Sequence, residues 1–178
     1  QAGRKRGKSG RGRRYVGPRR VIVAVADTGP LIHLEEADAL DLLSTVDELL
    51  IPQTVYDELE VGDDPPTLSS IAHEIVRARQ SLTQADHSLD PGETAALNVA
   101  IERDAVLLTD DLEARNVAED ENVEVHGSIG VIALGCARGR SSKQEAADLM
   151  RALQRETSLF VTDAVVERGI SLLQTEDH

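Results

Sequence analysis

The amino-acid sequence predicts an α/β fold of three layers, α/β/α, built around a central, mostly parallel twisted sheet. From residue 21 onward, short apolar runs alternate with stretches of helical periodicity, which is typical of parallel strands joined by helices. At 178 residues the chain is long enough to bury the core that such a sheet requires. Aliphatic residues and alanine must supply that core, because the chain contains one Phe, two Tyr and no Trp.

Four apolar runs predict the strands. The runs VIVAVA at 21–26 and AVLLT at 105–109 have the uniform apolar character of strands that are buried on both faces. The runs LLI at 49–51 and VEV at 123–125 give weaker signals.

Helical segments are predicted between and after these strands. The strongest covers residues 93–103, where Ala96, Leu97, Ala100 and Ile101 share one face. Residues 80–89 are expected to be irregular. The other helices are predicted over residues 29–43, 53–60, 68–76, 112–118, 128–137, 143–155 and 163–173.

Charge is divided sharply along the chain. Residues 1–20 hold nine Lys or Arg and no acid, whereas residues 21–178 hold ten bases against all 32 acids, so the two parts carry +9 and −22. We expect the first part to be a disordered basic arm, which either grips phosphate or has no role. Residues 21–178 are expected to form a single domain. Its acidity fits ordinary solubility or a cation-handling surface, but a halophilic source is favoured because Lys143 is its only lysine.

Cysteine content and the lengths of the apolar runs bear on the compartment. Cys136 is the only cysteine, so an internal disulfide is excluded, and its apolar neighbours predict a small core residue. No apolar run approaches the roughly 18 residues of a membrane span. The run at 21–26 is also too short for the apolar part of an export signal. We therefore expect a cytoplasmic protein with no membrane association.

Carboxylates stand where these elements end or begin. Because the carboxyl ends of parallel strands converge on one crevice, we expect such side chains to meet there. Several carboxylates in one place cannot all remain ionised without cations, so a divalent metal ion is the expected occupant. The candidate residues are Asp27, Glu58, Glu93, Asp110 and Asp111.

Two of these acids have helix capping as a structural alternative. Asp27 or Thr28 can cap the helix that follows, and function is favoured for Asp27 because Thr28 can cap without it. Glu93 closes the run Asp90-Pro91-Gly92-Glu93, which fits a capping box. A glutamate in that role can still present an oxygen to a metal ion.

The other candidates also have structural alternatives. Glu58 lies in an acidic stretch of a short helix, which is usually a solvated face, although it borders the buried side that Val55 and Leu59 mark. Either Asp110 or Asp111 can cap the next helix, and this role would remove one of them from the site.

Four motifs, in this order, resemble those of PIN-domain proteins. They are VIVAVADTGPLIHL, IPQTVYDEL, LDPGETAALNVA and VLLTDDLEARNVA, and they cover about residues 21–140. The chain is similar to the VapC-like ribonuclease toxins and their relatives in archaea and bacteria. The resemblance implies a PIN-like fold and a metal-dependent endoribonuclease.

The resemblance also implies a role for each acid. The four acids of the family correspond, in order, to Asp27, Glu58, Glu93 and Asp111. In the family's Thr-any-Asp pattern, Asp110 takes the variable position.

Other residues bordering the site match the family less uniformly. Thr28 and Thr109 match polar positions beside the acids. Leu112 stands where an aromatic residue often follows the last acid. This departure leaves the choice between Asp110 and Asp111 open.

The mechanism implied is hydrolysis of an RNA phosphodiester bond assisted by Mg²⁺ or Mn²⁺. The ion would be held by Asp27, Glu93 and Asp111. Asp110 is a further candidate ligand, and Glu58 would complete the cluster or orient the attacking water. The implied partners are an RNA substrate, a small antitoxin protein and a second copy of the chain in a homodimer.

The acidic body weakens RNA binding, because phosphate affinity normally comes from Lys and Arg. High salt and bound cations offset this repulsion. The histidines at 33, 73, 87 and 126 are scattered, and none is assigned to the metal. The candidate contacts to the RNA backbone are Arg77, Arg79, Arg115, Arg138 and Arg140.

Other functions receive less support. The chain has no GxxxxGK[ST] motif and no GxGxxG after a strand, which argues against P-loop and dinucleotide-binding proteins. A phosphoaspartyl enzyme would need a lysine beside Asp27, and Lys143 lies at the start of a polar helix. The main alternative is a PIN-like module that binds RNA or protein with little or no nuclease activity. The four acids disfavour it, because a pure binder does not need them.

Overall fold

The structure is a computed structural model that describes residues 20–79 and 88–175. The predicted basic arm lies outside the described residues except for Arg20, which forms an ion pair with Glu124. Most of the segment expected to be irregular, residues 80–87, lies outside them as well. None of the helices in the described ranges is both long enough and apolar enough to cross a membrane.

The described strands form one sheet in the order β3-β2-β1-β4-β5, and every neighbouring pair is parallel. The runs at 21–26, 49–51 and 105–109 each contain a strand, the run at 123–125 contributes only Val125 to one, and the predicted parallel α/β sheet is confirmed. The strands are β1 (Val23–Ala26), β2 (Glu48–Pro52), β3 (Glu74–Val76), β4 (Val106–Leu108) and β5 (Val125–His126).

The α-helices follow the predicted order, and two of them, α2 and α5, have the predicted bounds. Five are capped at their first turn by a side chain of Asp, Ser or Thr, as the sequence favours. The helices are α1 (Thr28–Glu36), α2 (Gln53–Glu60), α3 (Pro91–Arg103), α4 (Leu112–Asp120), α5 (Ser128–Ala137), α6 (Lys143–Glu156) and α7 (Asp163–Gln174).

Two apolar cores, one on each face of the sheet, make the fold three-layered. Successive residues of a strand point to opposite faces. Val25 and Leu107 accordingly pack with Leu97 of α3, whereas Ala24 and Leu108 belong to the core that α1, α5 and α6 complete. The sheet is therefore covered on both sides, and its carboxyl edge is where polar side chains can reach solvent.

The predicted helix over 29–43 is wrong in its second half. The α-helix ends at Glu36, and a 3₁₀ segment covers Leu40–Thr45. Asp38 between them has a left-handed backbone, with φ of 55°, which an α-helix does not contain. The resulting turn directs Leu43 into the core, where it is fully buried.

The predicted helix over 68–76 is also wrong. It is a 3₁₀ turn at Leu68–Ser70 followed by β3, which pairs with β2 at the edge of the sheet. Only Val76 of this strand is buried, so its three residues carry no alternating pattern long enough to distinguish a strand from a helix.

Candidate active site

The chain reverses the direction in which it builds the sheet between β1 and β4. From β1 it adds β2 and β3 on one side, and then β4 and β5 on the other. In open parallel sheets such a reversal creates a crevice at the carboxyl ends of the two central strands. Ala26 and Leu108, the last residues of β1 and β4, are partners in the sheet. The residues that follow them, Asp27 and Thr109, therefore enter the same crevice.

Asp27 is the most buried acid of this crevice, with 3% of its surface exposed. It caps α1: one carboxylate oxygen accepts hydrogen bonds from the Thr28 backbone N–H at 2.8 Å and from the Thr28 hydroxyl at 3.2 Å. The other oxygen accepts one from the Thr109 hydroxyl at 2.9 Å. Burial raises the pKa of Asp27 above its ordinary value, although these hydrogen bonds oppose the rise. The structure therefore uses Asp27, and not Thr28, as the cap.

Glu93 is held in place at the start of α3 by a capping box with Asp90. The Glu93 N–H donates to the Asp90 carboxylate at 2.8 Å, and the Asp90 N–H donates to the Glu93 carboxylate at 3.0 Å. Burial, followed by the charges of Asp111, Asp90 and Asp27, raises the pKa of Glu93 to about 7. Glu93 is therefore fixed in position and under electrostatic pressure from three other acids.

Glu58 packs directly against Gly92 in the first turn of α3. Its carboxylate accepts a hydrogen bond from the Gly92 N–H. A β-carbon at residue 92 would lie 2.3 Å from Glu58 Oε2, so glycine is required for this contact. Burial first, and then the charges of Asp90 and Asp27, raise the pKa of Glu58.

Asp110 and Asp111 have different surroundings. Asp111 caps α4 by accepting a hydrogen bond from the Ala114 N–H at 2.8 Å, and its side chain is otherwise exposed. Asp110 accepts hydrogen bonds from Ser128, at 2.7 Å from the N–H and 2.5 Å from the hydroxyl. The His33 Nδ1 atom also lies 2.7 Å from Asp110 Oδ2. Asp110 therefore ties the start of α5 to α1, and Asp111 keeps more free surface.

Four of the five predicted acids line one cavity of about 310 Å³. Glu58 does not line it and lies against Gly92, where the charges of Asp90 and Asp27 still raise its pKa. The acids that line the cavity are Asp27, Glu93, Asp110 and Asp111.

Each of the five predicted acids, including Glu58, accepts a hydrogen bond near the start of a helix. Asp27 caps α1, Asp111 caps α4, and Asp110 binds the first N–H of α5. Glu58 binds the first turn of α3, where Glu93 forms its capping box. Helix N-termini carry positive partial charge, so four helices offset part of the negative charge that is concentrated here.

A family model described as a PIN domain, DUF3368, matches residues 23–175, from the beginning of β1 to just past the last helix. The chain belongs to the PIN domain family. It is also similar to a solved structure, a PilT N-terminus domain protein from the hyperthermophilic archaeon Sulfolobus solfataricus P2. The two chains are 18% identical with a TM-score of 0.49, over 63% of this chain and 92% of that one. No curated protein matches the chain significantly.

The acids of this PIN domain suit a hard divalent cation. PIN domain nucleases generally use divalent metal ions, and carboxylate oxygens are the ligands that Mg²⁺ prefers. Within residues 20–79 and 88–175, no three His, Cys, Asp or Glu side chains are already grouped as metal ligands. Burial first, and then the charges of neighbouring acids, raise the pKa of Glu93, and a cation would offset the repulsion between these charges.

Three residues at this PIN site were not assigned a role from the sequence. Asp90 adds a carboxylate that raises the pKa values of Asp27, Glu58 and Glu93, but its Asp-Pro-Gly-Glu context pointed only to a cap. His33 lies one turn into α1, on the side that faces the cavity, and this spacing from the first acid was the available signal. Phe160 lines the cavity from a distant part of the chain, and nothing local in the sequence indicates it.

Proposed function

We propose that this PIN domain is a metal-dependent endoribonuclease that hydrolyses RNA phosphodiester bonds. The observation that carries the proposal is the convergence of Asp27, Glu93, Asp110 and Asp111 on one cavity at the reversal point of the sheet. Membership of the family supports it, because PIN domains are generally nucleases. A cavity that concentrates carboxylates favours a divalent cation, through which a phosphate can approach.

We assign each residue a role on the basis of its contacts in the site. Asp27, Glu93 and Asp111 are proposed to hold Mg²⁺ or Mn²⁺, which when bound polarises the scissile phosphate and acidifies a water molecule. Thr109 and Thr28 fix the orientation of the Asp27 carboxylate. With its carboxylate fixed in this way, Asp27 needs little rearrangement to serve as a ligand.

Asp110 and Glu58 are proposed to act around this centre. The two Asp110 oxygens are occupied by Ser128 and His33, which favours Asp111 over Asp110 as the principal ligand. Of its two expected roles, Glu58 is better placed to complete the acidic cluster than to orient the attacking water, because it does not line the cavity. Its contact with Gly92 connects it to the turn that positions Glu93.

RNA contacts are proposed for a second cavity, of about 700 Å³, beside the carboxyl ends of β2 and β3. Arg77 and Arg79 line it, and the Arg79 side chain is 89% exposed. Arg138 is unsuited to this role, because its guanidinium binds the backbone carbonyls of Thr45 and Arg20. The Arg79 guanidinium also lies 3.8 Å from the Glu102 carboxylate, a surface pair that an RNA phosphate would have to compete with on its way toward the acidic site.

The biological setting is proposed from the resemblance to VapC-like proteins and from the charge. The protein would act in a salt-rich cytoplasm, either as the toxin of a toxin–antitoxin pair or in RNA processing. A homodimer and a small antitoxin are the expected protein partners. An antitoxin that places a basic side chain among the carboxylates would block the site by neutralising it.

The test is cleavage of a structured RNA by the purified protein at high KCl with Mn²⁺ or Mg²⁺, beside Asp27→Asn. The matched control is Asp120→Asn, which removes an exposed acid at the far end of α4 from Asp111. We expect metal-dependent cleavage by the parent and the control, and none by Asp27→Asn. Equal cleavage by all three proteins would contradict the assignment of the site.

The alternative is a PIN module that binds RNA or protein without cutting. One observation favours it: no three candidate ligands in the described parts of the chain are grouped as a metal site. This alternative predicts that the protein binds RNA without cleaving it. Neither added metal nor the substitution at Asp27 would then change the amount of cleavage.

A further inference from the structure

Phe160 is the only phenylalanine of the chain, and 90% of its surface is exposed. It lies between α6 and α7, and it lines the same cavity as Asp27, Glu93 and Asp111. A large aromatic ring exposed to water forgoes the stabilisation that burial would give it. Its position at the acidic cavity therefore calls for a reason outside the folding of the chain.

The chain on either side of Phe160 is held firmly. The Ser158 N–H and hydroxyl donate to the Glu36 carboxylate at 3.2 and 2.5 Å. Leu159 is buried in the core, and the Val161 carbonyl accepts a hydrogen bond from the Gln154 side chain at 3.1 Å. The segment has anchors before and after the exposed ring, so the ring is presented by an ordered backbone.

We propose that Phe160 stacks on a nucleobase of the RNA strand whose phosphate enters the acidic cavity. This inference rests on the proposed function. Single-stranded RNA is bound largely by stacking of its bases on aromatic side chains. A phosphate placed among Asp27, Glu93 and Asp111 leaves the neighbouring bases at the rim of the cavity, where Phe160 lies. Stacking there would fix which phosphate meets the carboxylates.

The charge around Phe160 favours a base over a second copy of this chain. The chain has a net charge of −13, and Asp111 and Glu93 line the cavity beside the ring. A copy of an acidic chain would bring further negative charge toward them, whereas a base is uncharged. The phosphates of the same strand can approach through cations, which the acidic site attracts.

The experiment uses the absence of tryptophan from the sequence. Phe160→Trp, made in the cleavage-deficient Asp27→Asn protein, places a single fluorescent indole at the proposed stacking position. The matched control is Val61→Trp in the same background, because Val61 is 84% exposed at the end of α2 and lines neither cavity. We expect a single-stranded RNA oligonucleotide, with Mg²⁺ present, to quench the indole at 160 and to leave the indole at 61 unchanged.

Affinities measured by fluorescence anisotropy complete the test. Phe160→Ala and Phe160→Leu are both expected to bind the oligonucleotide roughly 5- to 100-fold more weakly than the protein that retains Phe160. Phe160→Trp is expected to restore the affinity. Oligonucleotides with one abasic site are then scanned along the strand. At the position that stacks, removal of the base should weaken binding to the parent protein and have no further effect on Phe160→Ala.

Each outcome decides one point. If Phe160→Leu binds RNA as tightly as the parent protein does, the proposal is overturned, because an aliphatic side chain would then serve as well as an aromatic ring. An emission from the indole at 160 that shifts with protein concentration and ignores RNA would also overturn it, since that result indicates contact between two copies. If Phe160→Ala cleaves RNA and binds it as tightly as the parent protein does, the stacking inference is wrong and the proposed nuclease activity still stands. Phe160-dependent binding without cleavage by the parent removes the nuclease and leaves the stacking.

Discussion

Asp27→Asn separates the chemistry of the site from its folding. The substitution removes one negative charge from the most buried acid of the cavity and keeps nearly the same shape. Asparagine caps helices about as well as aspartate, so its oxygen can still accept the Thr28 N–H. Its amide can donate to the Thr109 hydroxyl, which now acts as acceptor.

The expected change in stability is small because two effects oppose each other. Hydrogen bonds to a charged acceptor are worth about 1 kcal/mol more than neutral ones, and the variant loses this increment at both oxygens. Against this, it no longer buries a charge whose pKa is raised by desolvation. We expect the free energy of unfolding to change by no more than about 1 kcal/mol, which is about 2–4 °C in Tm.

Asp27→Ala provides the contrast. It deletes the cap of the Thr28 N–H, at a cost of about 1 kcal/mol, and leaves the buried Thr109 hydroxyl without its acceptor. An unsatisfied buried group costs about 1–3 kcal/mol, so a total near 3 kcal/mol, or about 6–12 °C in Tm, is expected.

The assays are thermal unfolding without metal and RNA cleavage with Mn²⁺. Both variants should lose at least about 100-fold in cleavage rate, because even substitutions beyond the direct ligands cost about 10–100-fold. Only Asp27→Ala should unfold at a clearly lower temperature. Equal destabilisation by Asn and Ala would refute the view that the cap survives in Asp27→Asn, and cleavage by Asp27→Asn would refute its role as a ligand.

Three further predictions concern the surroundings of Asp27. Gly92→Ala should displace the Glu58 carboxylate, since the new methyl would lie 2.3 Å from it, and should lower the cleavage rate about 10-fold with little change in Tm. The pKa of Glu93 is about 7 in the folded protein and 4.5 in the reference state, so the folded state keeps a proton between these values that the unfolded state has lost. Stability of the metal-free protein should therefore fall as the pH rises from 4.5 to 7, and chemical denaturation of Glu93→Gln should show a flatter dependence. Arg77→Ala combined with Arg79→Ala should weaken RNA binding and reduce the slope of log affinity against log salt by roughly 1–2, as measured by anisotropy.

Matched variants control these experiments. Gly62→Ala adds the same methyl in a place where its nearest contact is 3.4 Å away, so it should behave as the parent protein. Arg168→Ala removes an exposed arginine of α7 that lines neither cavity. A salt dependence that is the same in the double variant and in Arg168→Ala would count against the proposed phosphate contacts. A stability profile of Glu93→Gln as steep as that of the parent would show that another group binds the proton.

The parts of the fold that could be predicted are those in which local pattern and tertiary burial agree. Residues 24–26 and 105–109 of the two strongest apolar runs are buried on both faces of the sheet, so they needed no alternation to be recognised. The α2 helix has Val55 and Leu59 at a spacing of four residues, and both are buried as expected.

The two incorrect helices depended on information that is not local. Residues 29–43 have apolar residues at helical spacing throughout, but the left-handed turn at Asp38 is selected because it brings Leu43 into the core. The edge strand β3 forms because β2 offers it a partner, and three residues cannot reveal that in isolation.

The position of the acids at the sheet edge could be predicted because the ends of the strands could be recognised in the sequence. The roles of Asp110 and Asp111 could not be distinguished from the sequence. They differ because Asp110 contacts Ser128 and His33, which come from other parts of the chain. Phe160 reaches the cavity through the packing of α6 and α7, which no nearby motif encodes.

The attachment of every acid to the start of a helix has an evolutionary consequence. A descendant that ceased to cleave RNA would still need caps at α1, α3 and α4, so selection for stability alone would preserve oxygen-bearing side chains at positions 27, 90 and 111. Retention of the acids is then weaker evidence for activity than the sequence suggested. The first sign of lost catalysis would be a change from aspartate to asparagine, which keeps the cap and discards the charge.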